Sequence, residues 1–128
     1  MAITKEDTGS KTHVIVKCQA GDVLLKENET GGQIFLLKEG VLELSKEKDG
    51  KPVIIGQIGP GNMVGHMHMV DGLPQNETVT ALQDCILFQL SRDKFSQTLT
   101  AQPEWYQTLV KTLVERIRKT SKKQIGLN

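Results

Sequence analysis

The sequence has almost no net charge, few aromatic residues and no long apolar run. Its 16 Lys and Arg residues nearly balance 15 Asp and Glu residues, and aromatic residues make up 4% of the chain. A DNA-binding protein needs a large basic face, so this balance argues against DNA as a partner. No apolar run approaches the roughly 20 residues that cross a bilayer, so no membrane association is expected.

Features that would indicate export or catalysis are also missing. The first eleven residues, MAITKEDTGSK, lack the apolar core of a signal peptide, so we expect a cytoplasmic protein with a flexible tail over residues 1–11. Cys18 and Cys85 lie in apolar segments and are expected to be buried, reduced thiols. The chain carries no nucleophile elbow, no Ser/His/Asp pattern and no P-loop, so we expect no enzyme and no catalytic residue.

Short apolar segments alternate with turn signals from residue 12 to about residue 90. Asp49-Gly50 predicts a two-residue hairpin, and Gly59-Pro60-Gly61 breaks the chain sharply. Many short strands with glycine-rich turns are typical of a β-barrel or jelly roll. The predicted strands cover residues 13–18, 23–27, 33–40, 41–48, 52–58, 77–84 and 85–90.

Two helices are predicted in residues 91–122, so that residues 12–122 form a single domain and residues 123–128 fray. Ser91 is a good N-cap, and Pro103 favours the start of a longer helix over residues 104–122. The basic residues near its end suit the helix dipole and are expected to be solvated. An apolar face, expected to cover the barrel or to contact a protein partner or a second copy, comprises Trp105, Leu109, Val110, Leu113, Val114 and Ile117.

The order of these parts resembles the cyclic nucleotide-binding domain family. The resemblance is carried by AGDVLLKENETGGQIFLLKEGVLEL, the Asp-Gly hairpin and IGQIGPGNMVG, and it extends over roughly residues 14–120. It implies a mainly β fold with C-terminal helices, a double-stranded β-helix or jelly roll, and a non-catalytic regulatory role. The turn glycines of this frame, expected to have positive φ, are Gly21, Gly31, Gly40, Gly59, Gly61 and Gly65.

The family's ligand site is a phosphate-binding cassette with the pattern Phe-Gly-Glu-Leu-Ala-Leu, a spacer, and Pro-Arg-Ser-Ala-Thr-Val. Residues 64–79, VGHMHM-VDGL-PQNETV, align with it without a gap. The resemblance implies that Met67 and Val70 pack into the barrel, as the family's leucines do. The cassette positions that keep the pattern include Gly65, Pro74 and Thr78.

The other cassette positions carry different chemistry. His66 stands where the family has the glutamate that binds the ribose hydroxyl, and His68 replaces a small alanine. Gln75 stands in place of the arginine that neutralises the cyclic phosphate, and Asn76 and Glu77 replace Ser-Ala. Hydrogen bonds to charged groups contribute about 1.5–3 kcal/mol each, so loss of the arginine predicts ten- to more than a hundredfold weaker nucleotide binding.

Three interpretations of the cassette remain open. The first is a regulatory module in which ordinary cyclic AMP or cyclic GMP recognition is lost or altered, with a pocket that is empty or takes a neutral or cationic group. The second is a true sensor that uses Gln75, Asn76 and backbone amides. The third, more remote, is a soft-metal sensor built from His66, His68 and the neighbouring methionines, although histidines two apart on a helix point about 200° from each other. No cofactor is expected other than a possible cyclic nucleotide or other small ligand.

Overall fold

Two antiparallel sheets face each other across one apolar core in the computed structural model, which describes residues 3–7 and 13–124. The first sheet has the strand order β1-β2-β9-β4-β7, and the second has the order β3-β8-β5-β6. The strands are β1 Thr4–Asp7, β2 His13–Cys18, β3 Val23–Leu25, β4 Ile34–Glu39, β5 Leu42–Lys48, β6 Lys51–Ile58, β7 Met63–Val64, β8 Thr78–Ala81 and β9 Cys85–Leu90.

Three helices accompany the sheets. Helix α1, Met67–Asp71, lies between β7 and β8, and α2, Arg92–Thr100, follows the last strand. The Ser91 hydroxyl caps α2 by accepting a hydrogen bond from the Lys94 amide, as predicted. Helix α3, Glu104–Gln124, ends the described part of the chain. The predicted jelly-roll class with C-terminal helices is confirmed.

The seven predicted strands are present, but two predictions about the chain ends are wrong. Thr4–Asp7 form strand β1, paired antiparallel with β2, where a flexible tail was expected. Helix α3 runs through Gln124, past the predicted start of fraying at residue 123. The same two predictions also cover residues 1–2, 8–11 and 125–128, which lie outside the described residues, as does residue 12.

The core between the sheets contains apolar residues of the strands together with both cysteines. Cys18 and Cys85 lie directly opposite each other on β2 and β9 and are buried free thiols, as predicted. Burial is the main cause that raises the pKa of Cys18 to about 12, so this thiol stays protonated at neutral pH. The other buried members of this core are Val16, Leu25, Phe35, Leu37, Leu42, Val64, Val79, Ala81 and Leu87.

The turns follow the glycine pattern closely. Asp49 and Gly50 both have positive φ, 54° and 77°, and they connect the paired residues Lys48 and Lys51 in the predicted hairpin. Five of the six frame glycines have positive φ, and Gly59 is the exception.

Gly65 is the frame glycine with the least room for a side chain. Its φ is +81°, and an added Cβ would lie 2.1 Å from the Gln33 carbonyl oxygen. We therefore expect Gly65→Ala to lower the free energy of unfolding by at least about 2 kcal/mol in urea titrations. Gly72→Ala is the matched control, because Gly72 has a φ of +72° but no atom within 4 Å of an added Cβ. Its loss should be about 1 kcal/mol, and equal losses for the two variants would contradict the steric argument.

Candidate functional site: the cassette and helix α3

The cassette segment begins at a turn that only glycine fits, at Gly65, and continues into the short helix α1. Gly65 turns the chain from β7 into α1, His66 is the N-cap residue, and Gly72 ends the helix in a left-handed conformation. The His66 side chain makes no capping hydrogen bond. The one-turn helix implied by the resemblance is therefore present, and it places His66 and His68 on different sides of the helix.

Met67 and Val70 are buried, but not in the barrel, and that prediction is wrong. They form a second apolar cluster with Val114 of α3, and Phe95, Leu99 and Val110 pack around it. The apolar pattern of α1 indicates burial but does not indicate the partner. The cassette helix is therefore packed against the C-terminal helices.

His66 and His68 are both held in surroundings that favour the neutral imidazole. His66 Nδ1 and His68 Nε2 are buried and have no hydrogen-bond partner among the described residues. Burial, followed by the neighbouring His68, lowers the pKa of His66. Burial, followed by the Arg92 charge, lowers the pKa of His68. Residues 14–122, whose side chains are described, contain no group of three His, Cys, Asp or Glu side chains placed to hold a metal ion.

The lowered pKa of His66 predicts a pH-dependent loss of stability. A histidine whose folded-state pKa lies below its unfolded value of 6.5 lowers the stability of the fold as the pH falls below 6.5, because protons bind preferentially to the unfolded chain. The loss continues until the pH reaches the folded-state pKa. Between about pH 7.5 and pH 5.5, His66→Gln should therefore lose less free energy of unfolding than the unmodified chain. Urea titrations across this range measure the difference, and identical pH slopes would contradict the burial of His66.

The loop after α1 forms hydrogen bonds with residues 27–29 and within itself. The backbone of Gln75 pairs with Asn28 and Glu29, its N–H donating to Glu29 O and its carbonyl accepting from Asn28 N, both at 2.9 Å. Its side-chain amide donates to the Glu77 carbonyl oxygen at 3.0 Å. The Thr78 hydroxyl accepts from the Glu27 amide at 3.1 Å. The Gln75 side chain is thus engaged within this loop.

A buried lysine outside the cassette holds the middle of this loop. The Lys46 ammonium of β5 donates to the Asn76 carbonyl oxygen and lies 3.3 Å from a Glu27 carboxylate oxygen. Its side chain is only 7% exposed. Sequence reasoning missed this pair, although Lys46 follows Leu42 and Leu44 at the spacing of one strand face. That alternation was the signal available for an inward-facing lysine.

Glu77 supplies the carboxylate of the loop after α1. Its Oε2 lies 3.4 Å from Asn76 Nδ2, a long contact for a hydrogen bond. Burial is the main cause that raises the pKa of Glu77, and the Lys46 charge acts in the opposite direction. The carboxylate is therefore incompletely compensated in its present surroundings.

Arg118 of α3 fastens the helix to the cassette. Its Nε and Nη2 donate to the two Asp71 carboxylate oxygens at 2.6 and 3.1 Å, and its Nη1 donates to Pro74 O at 2.9 Å. The expectation that the basic helix end is solvated is therefore wrong for Arg118. A two-pronged contact of this kind fixes the orientation of the partner as well as its distance.

Two cavities lie between α3 and the rest of the domain. The larger one, here named the basic cavity, has a volume of about 740 Å³, and its lining includes Lys46, Gln75, Asn76, Lys111, Arg118, Lys119 and Lys122. The other, named the apolar cavity, has a volume of about 480 Å³ and is lined by Leu44, Ile55, Glu77, Leu113, Arg116, Ile117, Thr120 and Ser121. Among the cassette positions that differ from the family pattern, Gln75 and Asn76 lie at the first cavity and Glu77 at the second, whereas His66 and His68 line neither.

The predicted apolar face of α3 is split into two. Val110 and Val114 pack towards the cassette. Four other residues, four positions apart, form an exposed stripe, here named the α3 stripe. It consists of Trp105, Leu109, Leu113 and Ile117, which are 68%, 46%, 50% and 47% exposed.

Comparison with known proteins decides the family. The family model for the cyclic nucleotide-binding domain matches residues 15–102. The chain belongs to the cyclic nucleotide-binding domain family. The resemblance found in the sequence is thereby confirmed.

The relatives of this domain are larger regulatory proteins. The domain is 32% identical over 97 residues to a cyclic nucleotide-gated potassium channel of Rhizobium etli, covering 76% of the chain and 26% of the channel. It is 30% identical over 83 residues to a cAMP-dependent protein kinase regulatory subunit of Yarrowia lipolytica, covering 65% of the chain and 21% of the subunit. The chain thus spans only about a quarter of the length of these relatives.

Solved structures show the same fold. The cAMP-bound form of the EAL enzyme Bd1971 superposes with a TM-score of 0.78 at 21% identity, covering 88% of this chain and 29% of that one. The catabolite activator protein of Thermus thermophilus gives a TM-score of 0.69 at 20% identity, covering 87% of this chain and 53% of that one.

Among the described helices, including the long α3, none has the length and apolar composition that a bilayer crossing requires.

Proposed function

We propose that the chain is a non-catalytic regulatory module whose cassette has lost ordinary cyclic AMP and cyclic GMP recognition. One observation carries the proposal: Gln75 occupies the phosphate-arginine position, and its amide donates to the Glu77 carbonyl within the same loop. A neutral amide brings no charge to a phosphate, and using it would first break an existing hydrogen bond.

The surroundings of Gln75 support the same conclusion. Two cations that contact this loop are already paired, Lys46 with Glu27 and the Asn76 carbonyl, and Arg118 with Asp71. The Glu77 carboxylate lies in the same loop and would repel a phosphate. On the ribose side, His66 is held as a neutral imidazole, which cannot bind a hydroxyl as strongly as a carboxylate does.

Calorimetry with cyclic AMP, cyclic GMP and cyclic dinucleotides tests this proposal. We expect no dissociation constant below roughly 100 μM. The alternative, a sensor with a non-standard cassette, requires micromolar binding that weakens in Gln75→Ala. That pair of results would overturn the proposal.

We further propose that the module acts through the α3 stripe, which pairs with the stripe of a second copy. The stripe's four residues repeat every fourth position, so they form an apolar ridge that winds slowly round the helix, the kind of ridge that packs into the groove of a facing helix. A two-fold contact uses the same strip on both copies, so no further surface is needed. Because Val114 and Arg118 join α3 to the cassette from its other side, a change there would reach the pairing surface.

A charge in the middle of the stripe tests the pairing. Leu109→Glu together with Leu113→Glu should convert a dimer into a monomer, because two carboxylates would be buried against two others. Sedimentation equilibrium at micromolar concentration measures the mass. The matched control is Lys111→Glu, which lies on the same helix and outside the stripe. A monomeric unmodified chain at all concentrations would contradict the proposal.

A further inference from the structure

The apolar cavity is built like a small-molecule site. Leu44 and Ile55 of the roll form one wall, and Leu113 and Ile117 of α3 form the other. Its volume of about 480 Å³ lies within the range of ligand pockets, which are mostly apolar with a few placed polar groups. Arg116 also lines this cavity and is exposed to solvent.

Two polar groups line this cavity with unmet hydrogen-bonding capacity. The Ser121 side chain lies in a residue that is 5% exposed, and its Oγ has no partner among the described residues. Glu77 contributes a half-buried carboxylate from the cassette loop. A buried polar group without a partner destabilises the protein, so a ligand that supplies the missing partner binds more tightly.

The two cations of the cassette loop are already paired with other carboxylates, and Arg116, which also lines the cavity, is exposed to solvent. Lys46 is paired with Glu27, and Arg118 is paired with Asp71. The Asn76 amide makes only the long contact to Glu77 described above. Burial outweighs these neighbours and raises the pKa of Glu77, which indicates that the carboxylate lacks strong donors.

We infer that the apolar cavity binds a small, mainly apolar molecule that carries an amine. In this arrangement the Glu77 carboxylate accepts hydrogen bonds from the ammonium group, and the Ser121 hydroxyl makes the second polar contact. The charge preference is the reverse of that required for a cyclic phosphate. The inference rests on the proposed function, because an intact phosphate site would place an anion beside Glu77.

Two probes with the same ring and opposite charge test this preference. Tryptamine presents an indole with an ammonium, and indole-3-propionic acid presents an indole with a carboxylate. By NMR titration at pH 7, tryptamine should bind with a dissociation constant below about 1 mM and at least about tenfold more tightly than the acid. Glu77→Gln should weaken tryptamine about tenfold or more, and Ser121→Ala severalfold. Glu47→Gln, an exposed carboxylate on β5, should have no effect.

Several outcomes would overturn the inference: no binding of either probe, equal or tighter binding of the acid, or unchanged tryptamine affinity in Glu77→Gln. If Glu77→Gln does not fold, Ser121→Ala and the ratio of the two probes on the unmodified chain decide the question. A separate cyclic AMP titration isolates the proposed function. Micromolar cyclic AMP binding overturns that function, whereas absence of both cyclic AMP binding and amine preference overturns the inference alone.

Discussion

The triple variant His66→Glu, Gln75→Arg, Glu77→Ala should bind cyclic AMP at least tenfold, and up to more than a hundredfold, more tightly than the unmodified chain. The arginine supplies planar, charge-assisted hydrogen bonds to the phosphate, and the glutamate supplies a carboxylate acceptor for the ribose hydroxyl. Removal of the Glu77 carboxylate eliminates a like charge next to the ligand. Isothermal titration calorimetry on the folded variant measures the gain.

The control for this experiment separates charge from geometry. His66→Glu, Gln75→Lys, Glu77→Ala places a cation at residue 75 without the two-pronged donor geometry of a guanidinium, and should recover only part of the gain. If the arginine variant folds and still does not bind cyclic AMP, the assignment of residues 66, 75 and 77 to ligand contacts is wrong. The frame around them favours folding, because Gly65 keeps its turn and Met67 keeps its buried position.

The strands and turns could be predicted because their determinants are local. Asp49-Gly50 fixes a hairpin through the positive φ of two adjacent residues, and the apolar alternation of β5 and β9 defines which residues face the core. Strand β1 has the sequence TKED, which carries no apolar alternation. This strand was missed because it forms by backbone pairing with β2, and no pattern within its own sequence indicates that pairing.

The candidate site could be located along the sequence, but its contacts could not be predicted. The cassette segment follows from its alignment with the family pattern, and the role of its individual residues in ligand binding stays a prediction. Asp71 and Arg118 are 47 positions apart, and their contact depends on where α3 crosses the cassette helix. The direction in which Met67 packs depends on the same crossing. A hydrophobic pattern indicates that a residue is buried, whereas the choice of neighbour is made by the tertiary arrangement.

Removal of the Lys46 charge should have the largest effect on stability among single side-chain changes at the polar contacts of the cassette loop. Lys46→Met leaves the Glu27 carboxylate without its cation and the Asn76 carbonyl without its donor, so we expect a loss of about 3 kcal/mol or more. Urea titrations with an unchanged m-value measure it. The exposed pair Lys119–Glu115 is the control, since Lys119→Met should change stability by no more than about 0.5 kcal/mol.

A double-mutant cycle shows whether the loss arises from the unpaired charge. Glu27→Gln should destabilise the unmodified chain but stabilise Lys46→Met, because in that variant the carboxylate has lost its partner. A Lys46→Met loss no greater than that of Lys119→Met, or additive effects in the cycle, would contradict the pairing. A strong coupling would show that the Lys46 charge is required for holding the loop, and a phosphate would then have to compete with Glu27 for it. Lys46 would then serve to stabilise the cassette loop and would not take the place of a phosphate-binding arginine.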